Sequence, residues 1–108
     1  MLPFIFNKYL QEAFNVPLVI QITDDEKYFW KGESEQDIED FTKLAYENIK
    51  DIIALGFDPE KTFIFIDSEY IGHMYPNVCR FQKNINMSTL KAIFGLTFSD
   101  SCGKAAYP

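Results

Sequence analysis

The sequence predicts an α/β domain built on a parallel strand–helix–strand unit. Two apolar runs, Leu18-Val19-Ile20 and Thr62-Phe63-Ile64-Phe65-Ile66, have the length and the β-branched or aromatic content of strands. Between them, Ile38, Phe41, Ala45, Ile49 and Ile52 recur at helical spacing. Two strands joined by a long helix pair in parallel through a right-handed crossover. Both strands turn polar where they end, at Gln21 and at Asp67. The C-terminal ends of strands are where open α/β sheets place their ligands.

The elements follow in order. Leu2 to Asn15 reads as a helix, with Phe6, Leu10 and Ala13 or Phe14 on one face and Lys8, Gln11 and Glu12 on another. Pro3 suits its first turn. An apolar helix that opens the chain without a cap or a preceding strand gives the N-terminus the look of a cut end. Val16-Pro17 ends this helix, and Leu18 to Ile22 is expected to be a strand covered on both faces. Thr23 or Asp24 can cap a short helix over Glu26 to Trp30. Ser34 is expected to cap the long helix, with Asp37 in the capping-box position, and Gly56 with Pro59 beyond it stops that helix. After the second strand Asp67 is read as a helix cap. Helices are then expected near Glu69 to Met74, from Pro76 to about Ile85, and from a Ser88 cap to Phe94, ending at Gly95. The remaining tail is weakly patterned.

The bulk composition narrows the function. A chain of 108 residues is one domain or less, yet it holds eleven Phe, six Tyr and one Trp. A domain this short buries only about 60–70% of the surface its unfolded chain exposes, so some rings lie at the surface and await a partner. A net charge of −6 with scattered Lys and Arg argues against holding nucleic acid through its phosphates. Cys79 and Cys102 fit no zinc spacing and, beside a single His, are read as reduced structural thiols, with no metal site. No signal peptide is visible, and no apolar run approaches the roughly 20 residues that span a bilayer, so a soluble cytoplasmic protein is expected.

Gln21 and Glu26 are the foremost candidate site residues. A side-chain amide can donate and accept, so it can read the polar edge of a mostly apolar ligand. A nearby carboxylate can hold an ammonium group. The pair suits an amino acid whose side chain carries one N–H. On spacing alone the plainer reading is favoured, with Gln21 serving local backbone and Glu26 facing water. Asp24 and Asp25 read as first-turn acids rather than a catalytic pair. Lys27 and Lys31 read as a solvated face more readily than as a phosphate contact. His73 has no nucleophile or acid around it in sequence, and no catalytic residue is assigned. Neither GxxxxGK[ST] nor GxGxxG is present, and no nucleophile elbow or HExxH pair occurs.

Read as continuous strings, LPFIFNKYLQEAFNVPLVIQITDDEKYFWK, NIKDIIALGFDPEKTFIFIDSEYIG and NVCRFQKNINMSTLKAIFGLTFSDSCGKAAYP cover nearly the whole chain. They resemble the catalytic domain of the eukaryotic-type cytosolic tryptophanyl-tRNA synthetase family. The resemblance implies an α/β fold that is part of a Rossmann-type class I core. Residues 1–68 would be a partial nucleotide-binding fold, and 69–108 part of a helical insertion that in the family contributes to a homodimer interface. It matches Gln21 to the glutamine that contacts the indole N–H and Glu26 to the glutamate that contacts the substrate ammonium. The family joins L-tryptophan to tRNA-Trp with ATP and Mg²⁺. Its HIGH-type motif would stand just before Leu2, where only Met1 stands. Its KMSKS-type loop, its further glutamines and the tyrosine that also reads the indole are not matched in this chain. An interior piece, unable to form tryptophanyl-adenylate alone, is therefore expected.

Two classes of function follow. The first is a segment of a tryptophan–tRNA ligase that carries part of the tryptophan pocket. The second is a non-catalytic fold or dimerisation module. A tyrosine-activating relative is a weaker third option, since an amide can also meet a phenol.

Overall fold

The computed structural model describes residues 1–31 and 35–107. Two strands, β1 (Leu18–Ile22) and β2 (Thr62–Ile66), pair in parallel with Leu18 opposite Thr62 and Ile22 opposite Ile66. Helices α1 (Leu2–Phe14), α2 (Asp24–Trp30) and α3 (Ile38–Ala54) surround β1 in the chain, and α4 (Asp67–Asn84), α5 (Met87–Phe94) and α6 (Cys102–Ala106) follow β2. The register brings the polar residues after both strands to one end of the sheet, as their sequence positions predict.

The core lies on one face of the sheet. Ile20, Ile52 and Phe57 are buried there, with Phe4, Leu18, Ile22, Leu55 and Ile64 packed against them. The expected stripe of α3 is confirmed, with Phe41, Ala45 and Ile52 buried. The expectation that β1 is covered on both faces is not met, because α1 and α3 both contribute to the same side and Val19 on the other side is exposed. On that open face Phe63 and Phe65 stack at 5.6 Å, with Tyr70 of α4 against both.

The first helix is turned differently from its apolar pattern. Phe6 and Phe14 are exposed, while Gln11 is 3% exposed. Its amide donates to the Lys61 carbonyl (3.2 Å) and Thr62 Oγ1 (2.9 Å), and its Oε1 accepts from the Asp58 amide (3.1 Å). The Asp58 amide would otherwise lie unpaired before β2, so the helix turns the Gln11 side chain inward and leaves Phe6 and Phe14 outside.

Several helix ends differ from expectation. Asp37 itself caps α3, its carboxylate accepting from Ile38 N–H at 2.8 Å while its own N–H donates to Asp40 Oδ2 at 3.1 Å. The proposed cap Ser34 lies outside the described residues. Asp67 is the first residue of α4 rather than its cap. The two helices expected on either side of position 76 are one, with Pro76 inside it. A proline ring crowds the carbonyl four residues back. That residue is Gly72, and the helix nevertheless runs through Pro76 to Asn84. Asn86, not Ser88, caps α5, because its Oδ1 reaches the Thr89 amide at 2.9 Å. Gly56 (φ 85°) and Gly95 (φ 65°) end α3 and α5 in the left-handed conformation, as predicted.

The weakly patterned tail contains α6, which rests on α2. A Cβ at Gly103 would stand 2.3 Å from the Phe29 ring, so only glycine permits this approach.

Replacing Gln11 with Ala strands the Asp58 amide and removes the bond to Thr62 Oγ1, while the Lys61 carbonyl keeps its bond from the Leu18 amide at 2.7 Å. It is expected to cost about 2 kcal/mol in a urea melt. A loss within ±0.5 kcal/mol would show that the helix is placed by its phenylalanines instead.

Candidate functional site

At the C-terminal end of the strands, three helices converge on Asp24. Its side chain is 1% exposed. Oδ1 accepts from the Asp25 amide (3.0 Å) and the Ser68 amide (3.2 Å), and Oδ2 accepts from Thr42 Oγ1 (2.8 Å) and from Ser68 Oγ. Burial pushes this carboxyl up, but the hydrogen bonds from Ser68, Thr42 and Asp25 together hold it below the usual 3.8. Asp24 is thus a structural anion at the first turns of α2 and α4, where helix dipoles favour negative charge. Thr23 occupies the N-cap position without a side-chain cap bond.

The candidate site residues stand around this anchor. Gln21 Nε2 donates to Asp67 Oδ1 at 2.8 Å. Gln21 and Glu26 line one cleft of about 370 Å³, together with Trp30, Phe94 and Tyr107. The structure therefore brings the two sequence-predicted residues to one concavity, an amide and a carboxylate among three aromatic rings. The Gln21 amide donates to the Asp67 side chain rather than to local backbone.

Two members of the site were not predicted from sequence. Asp67 was read only as a cap, yet it is 6% exposed and turned to Gln21 and Asp25. Burial pushes its carboxyl up to about 6; the Gln21 hydrogen bond opposes this, and Asp25 and Asp24 add to the rise. Tyr107, from the tail, stands over the same acids. Burial, then the charges of Glu26, Asp67 and Asp25, push its hydroxyl up to about 12 against a hydrogen bond with Thr23. It stays a neutral phenol at any physiological pH.

The remaining candidates are dispersed. Lys27 lines a neighbouring cleft that shares Gln21 and lies beside Met1 and Phe4, and Lys31 lies 5.5 Å from the Phe41 ring centre. His73 packs on Tyr70 at 4.8 Å. Cys79 and Cys102 are free and exposed. Among the described residues no helix is long and apolar enough to cross a membrane.

A parallel strand pair with polar C-terminal ends and a cleft above them defines part of a Rossmann-type core. The solved structures it matches are class I synthetases of that type. The model superposes on Plasmodium falciparum tryptophanyl-tRNA synthetase with a TM-score of 0.90 at 49% identity, over 98% of this chain and 29% of that one. The Encephalitozoon cuniculi tryptophanyl-tRNA synthetase bound to tryptophan gives 0.91 at 42% identity, over 98% and 30%. Among curated sequences, the cytoplasmic tryptophan–tRNA ligase of Dictyostelium discoideum is 52% identical over 108 residues, 100% of this chain and 26% of that protein. The fission yeast Schizosaccharomyces pombe ligase is 57% identical over 106 residues. No protein-family model matches. The chain belongs to the tryptophan–tRNA ligase family, and it spans about a quarter of the length of the curated relatives it matches.

The residues present do not fit the ATP and Mg²⁺ that this family implies. The cleft's lining residues include no cation, and phosphates placed there would face Asp25, Glu26 and Asp67. Lys104, 5.0 Å from the Trp30 ring centre, is already paired with Asp100 at 3.2 Å. Among the described residues no group of three or more His, Cys, Asp or Glu could hold a metal ion.

The raised Asp67 carboxyl has a defined consequence. Between pH 3.8 and about 6 the folded chain holds a proton that the unfolded chain has lost. Its contribution to stability is therefore full below pH 3.8 and is lost as pH rises through about 6. Asp24 acts oppositely, and only below 3.8. Melting temperatures of wild type should fall between pH 4.5 and 7 relative to Asp67→Asn. Parallel curves for the two proteins would contradict the assignment.

Proposed function

We propose that this chain supplies part of the amino-acid pocket of a tryptophan–tRNA ligase, in which Gln21 accepts the indole N–H and Glu26 holds the ammonium group. The observation that carries this reading is the single cleft lined by Gln21, Glu26 and three aromatic residues at the strand ends. Gln21 Oε1 and the Glu26 carboxylate have no hydrogen-bond or ion-pair partner among the described residues, so both can receive donors from a ligand. The rings offer an indole apolar contact. Where the complete pocket excludes water, recognition of one N–H is also the strong form of discrimination, because an analogue lacking it leaves the acceptor unpaired.

The complete ligase would activate L-tryptophan with ATP and Mg²⁺ and pass it to tRNA-Trp. Phosphate chemistry is assigned to residues outside this chain, and Gln21 and Glu26 are binding residues with no catalytic role. Residues 1–68 would be the first part of the nucleotide fold and 69–108 part of its helical insertion, with α4 crossing that boundary. A cytoplasmic location fits the names of the relatives.

Calorimetric titration of the chain with L-tryptophan tests this reading. Saturable binding is expected. Gln21→Ala should weaken it roughly tenfold, and Glu26→Gln by about 1.5–3 kcal/mol as a charge-assisted bond is lost. A folded wild type that takes up no tryptophan would overturn the reading for this chain.

A second reading, self-association, is favoured by a separate observation. A groove of about 630 Å³ between α4, α5 and α6 is lined by Val78, Phe81, Ile85, Met87 and Leu90 among others, and Phe98 is 97% exposed. Apolar surface of this extent suits a homodimer interface. Sedimentation at micromolar concentration should show a dimer or larger species. A sharp monomer boundary would remove this reading.

A further inference from the structure

The cleft contains an amide whose two ends are chemically opposite and almost equal in shape. A glutamine at the end of a strand can rotate by half a turn about its last bond and exchange a carbonyl oxygen for an NH₂ group. Which end meets the ligand decides whether the site takes a donor or an acceptor. Nothing in Gln21 itself makes that choice.

Its neighbour does. Asp67 opens α4 just beyond β2, and parallel pairing sets Gln21 opposite Phe65, two residues before it. The contact is Gln21 Nε2 to Asp67 Oδ1 at 2.8 Å. Turning the amide over would set its oxygen against that carboxyl oxygen and break the bond. Asp67 is 6% exposed, so water does not readily replace the lost partner. Asp25, at the start of α2, the helix that also carries Glu26, lies close enough for its charge to raise the Asp67 carboxyl.

We propose that Asp67 is a positioning residue for Gln21: it holds the NH₂ end of the amide, so that the carbonyl end faces the ligand and the cleft selects a molecule presenting a single N–H donor. The orienting role stands on the Gln21–Asp67 geometry alone. The consequence for the ligand rests on the reading of the cleft as a tryptophan pocket. Asp67 touches no ligand in this scheme and acts only through Gln21.

Two replacements separate orientation from bulk structure. Asp67→Asn keeps a carbonyl oxygen for Gln21 Nε2 and can turn its own NH₂ to Asp25, so it preserves the orientation without the charge. Asp67→Ala removes the acceptor. The first readout needs no ligand: exchange with water of the Gln21 side-chain NH₂ protons, followed by NMR on chain carrying ¹⁵N-glutamine. The proton directed at Asp67 should exchange slowly in wild type and Asp67→Asn, and at least about tenfold faster in Asp67→Ala, as a hydrogen bond of ordinary strength is lost. The second readout is the ratio of affinities for L-tryptophan and for 3-benzothienyl-L-alanine, which replaces the indole N–H with sulfur. That ratio should drop about tenfold in Asp67→Ala and be restored in Asp67→Asn.

Equal exchange in wild type and Asp67→Ala would overturn the orienting role. So would an Asp67→Asn variant that exchanges as fast as Asp67→Ala. If no form binds tryptophan, the pocket reading falls and the NMR readout alone decides whether Asp67 orients Gln21. If tryptophan binds with an unchanged ratio in Asp67→Ala, the pocket reading stands and the positioning proposal fails.

Discussion

The site depends on a carboxylate buried where helices begin. Asp24 sits in the first turn of α2, accepts the Ser68 amide in the first turn of α4, and ties down Thr42 on α3. A charge taken from water is costly unless it is richly hydrogen-bonded, and four donors meet that condition here. Because the donors belong to segments far apart in sequence, satisfying one side chain fixes the relative placement of three helices. The cleft inherits its shape from that requirement. Gln21 precedes this anchor by three positions and Glu26 follows it by two, so both are delivered to the strand end by the same constraint.

Legibility from sequence followed the range of the interactions concerned. The strands, the stripe of α3 and the stops at Gly56 and Gly95 are set by local pattern and backbone chemistry, and all were readable. The rotation of α1 was not, because a row of phenylalanines looks buried until the partners of Gln11, some 50 residues away, are known. The local rule for proline predicts a break at position 76, yet α4 runs through it from Asp67 to Asn84. The caps at Asp37 and Asn86 show that a short carboxylate or amide can capture a helix start ahead of the serine that pattern suggests. In the cleft, Gln21 and Glu26 were visible because they follow an apolar strand. Asp67 looked like an ordinary first-turn acid, since its partner lies 46 positions earlier. Tyr107 was hidden in a tail with no periodicity.

The chemistry divides in a way the charges make plain. One end of the sheet carries Asp24, Asp25, Glu26 and Asp67 within a few residues of two strand ends. Such a field welcomes an ammonium group and repels phosphate. This end of the sheet is therefore suited to a cation and not to an anion.

The contact between Gly103 and Phe29 ties the top of the cleft to its floor. Tyr107 closes the space over the acids, and it follows α6, which lies against α2 with no room for a single extra carbon. Phe29 belongs to the same helix as Glu26 and Trp30. A movement of α2 therefore carries the carboxylate, one aromatic wall and the overhanging phenol as one body. The width of the cleft is thereby the distance between α2 with its attached tail and the end of β1, where Gln21 stands.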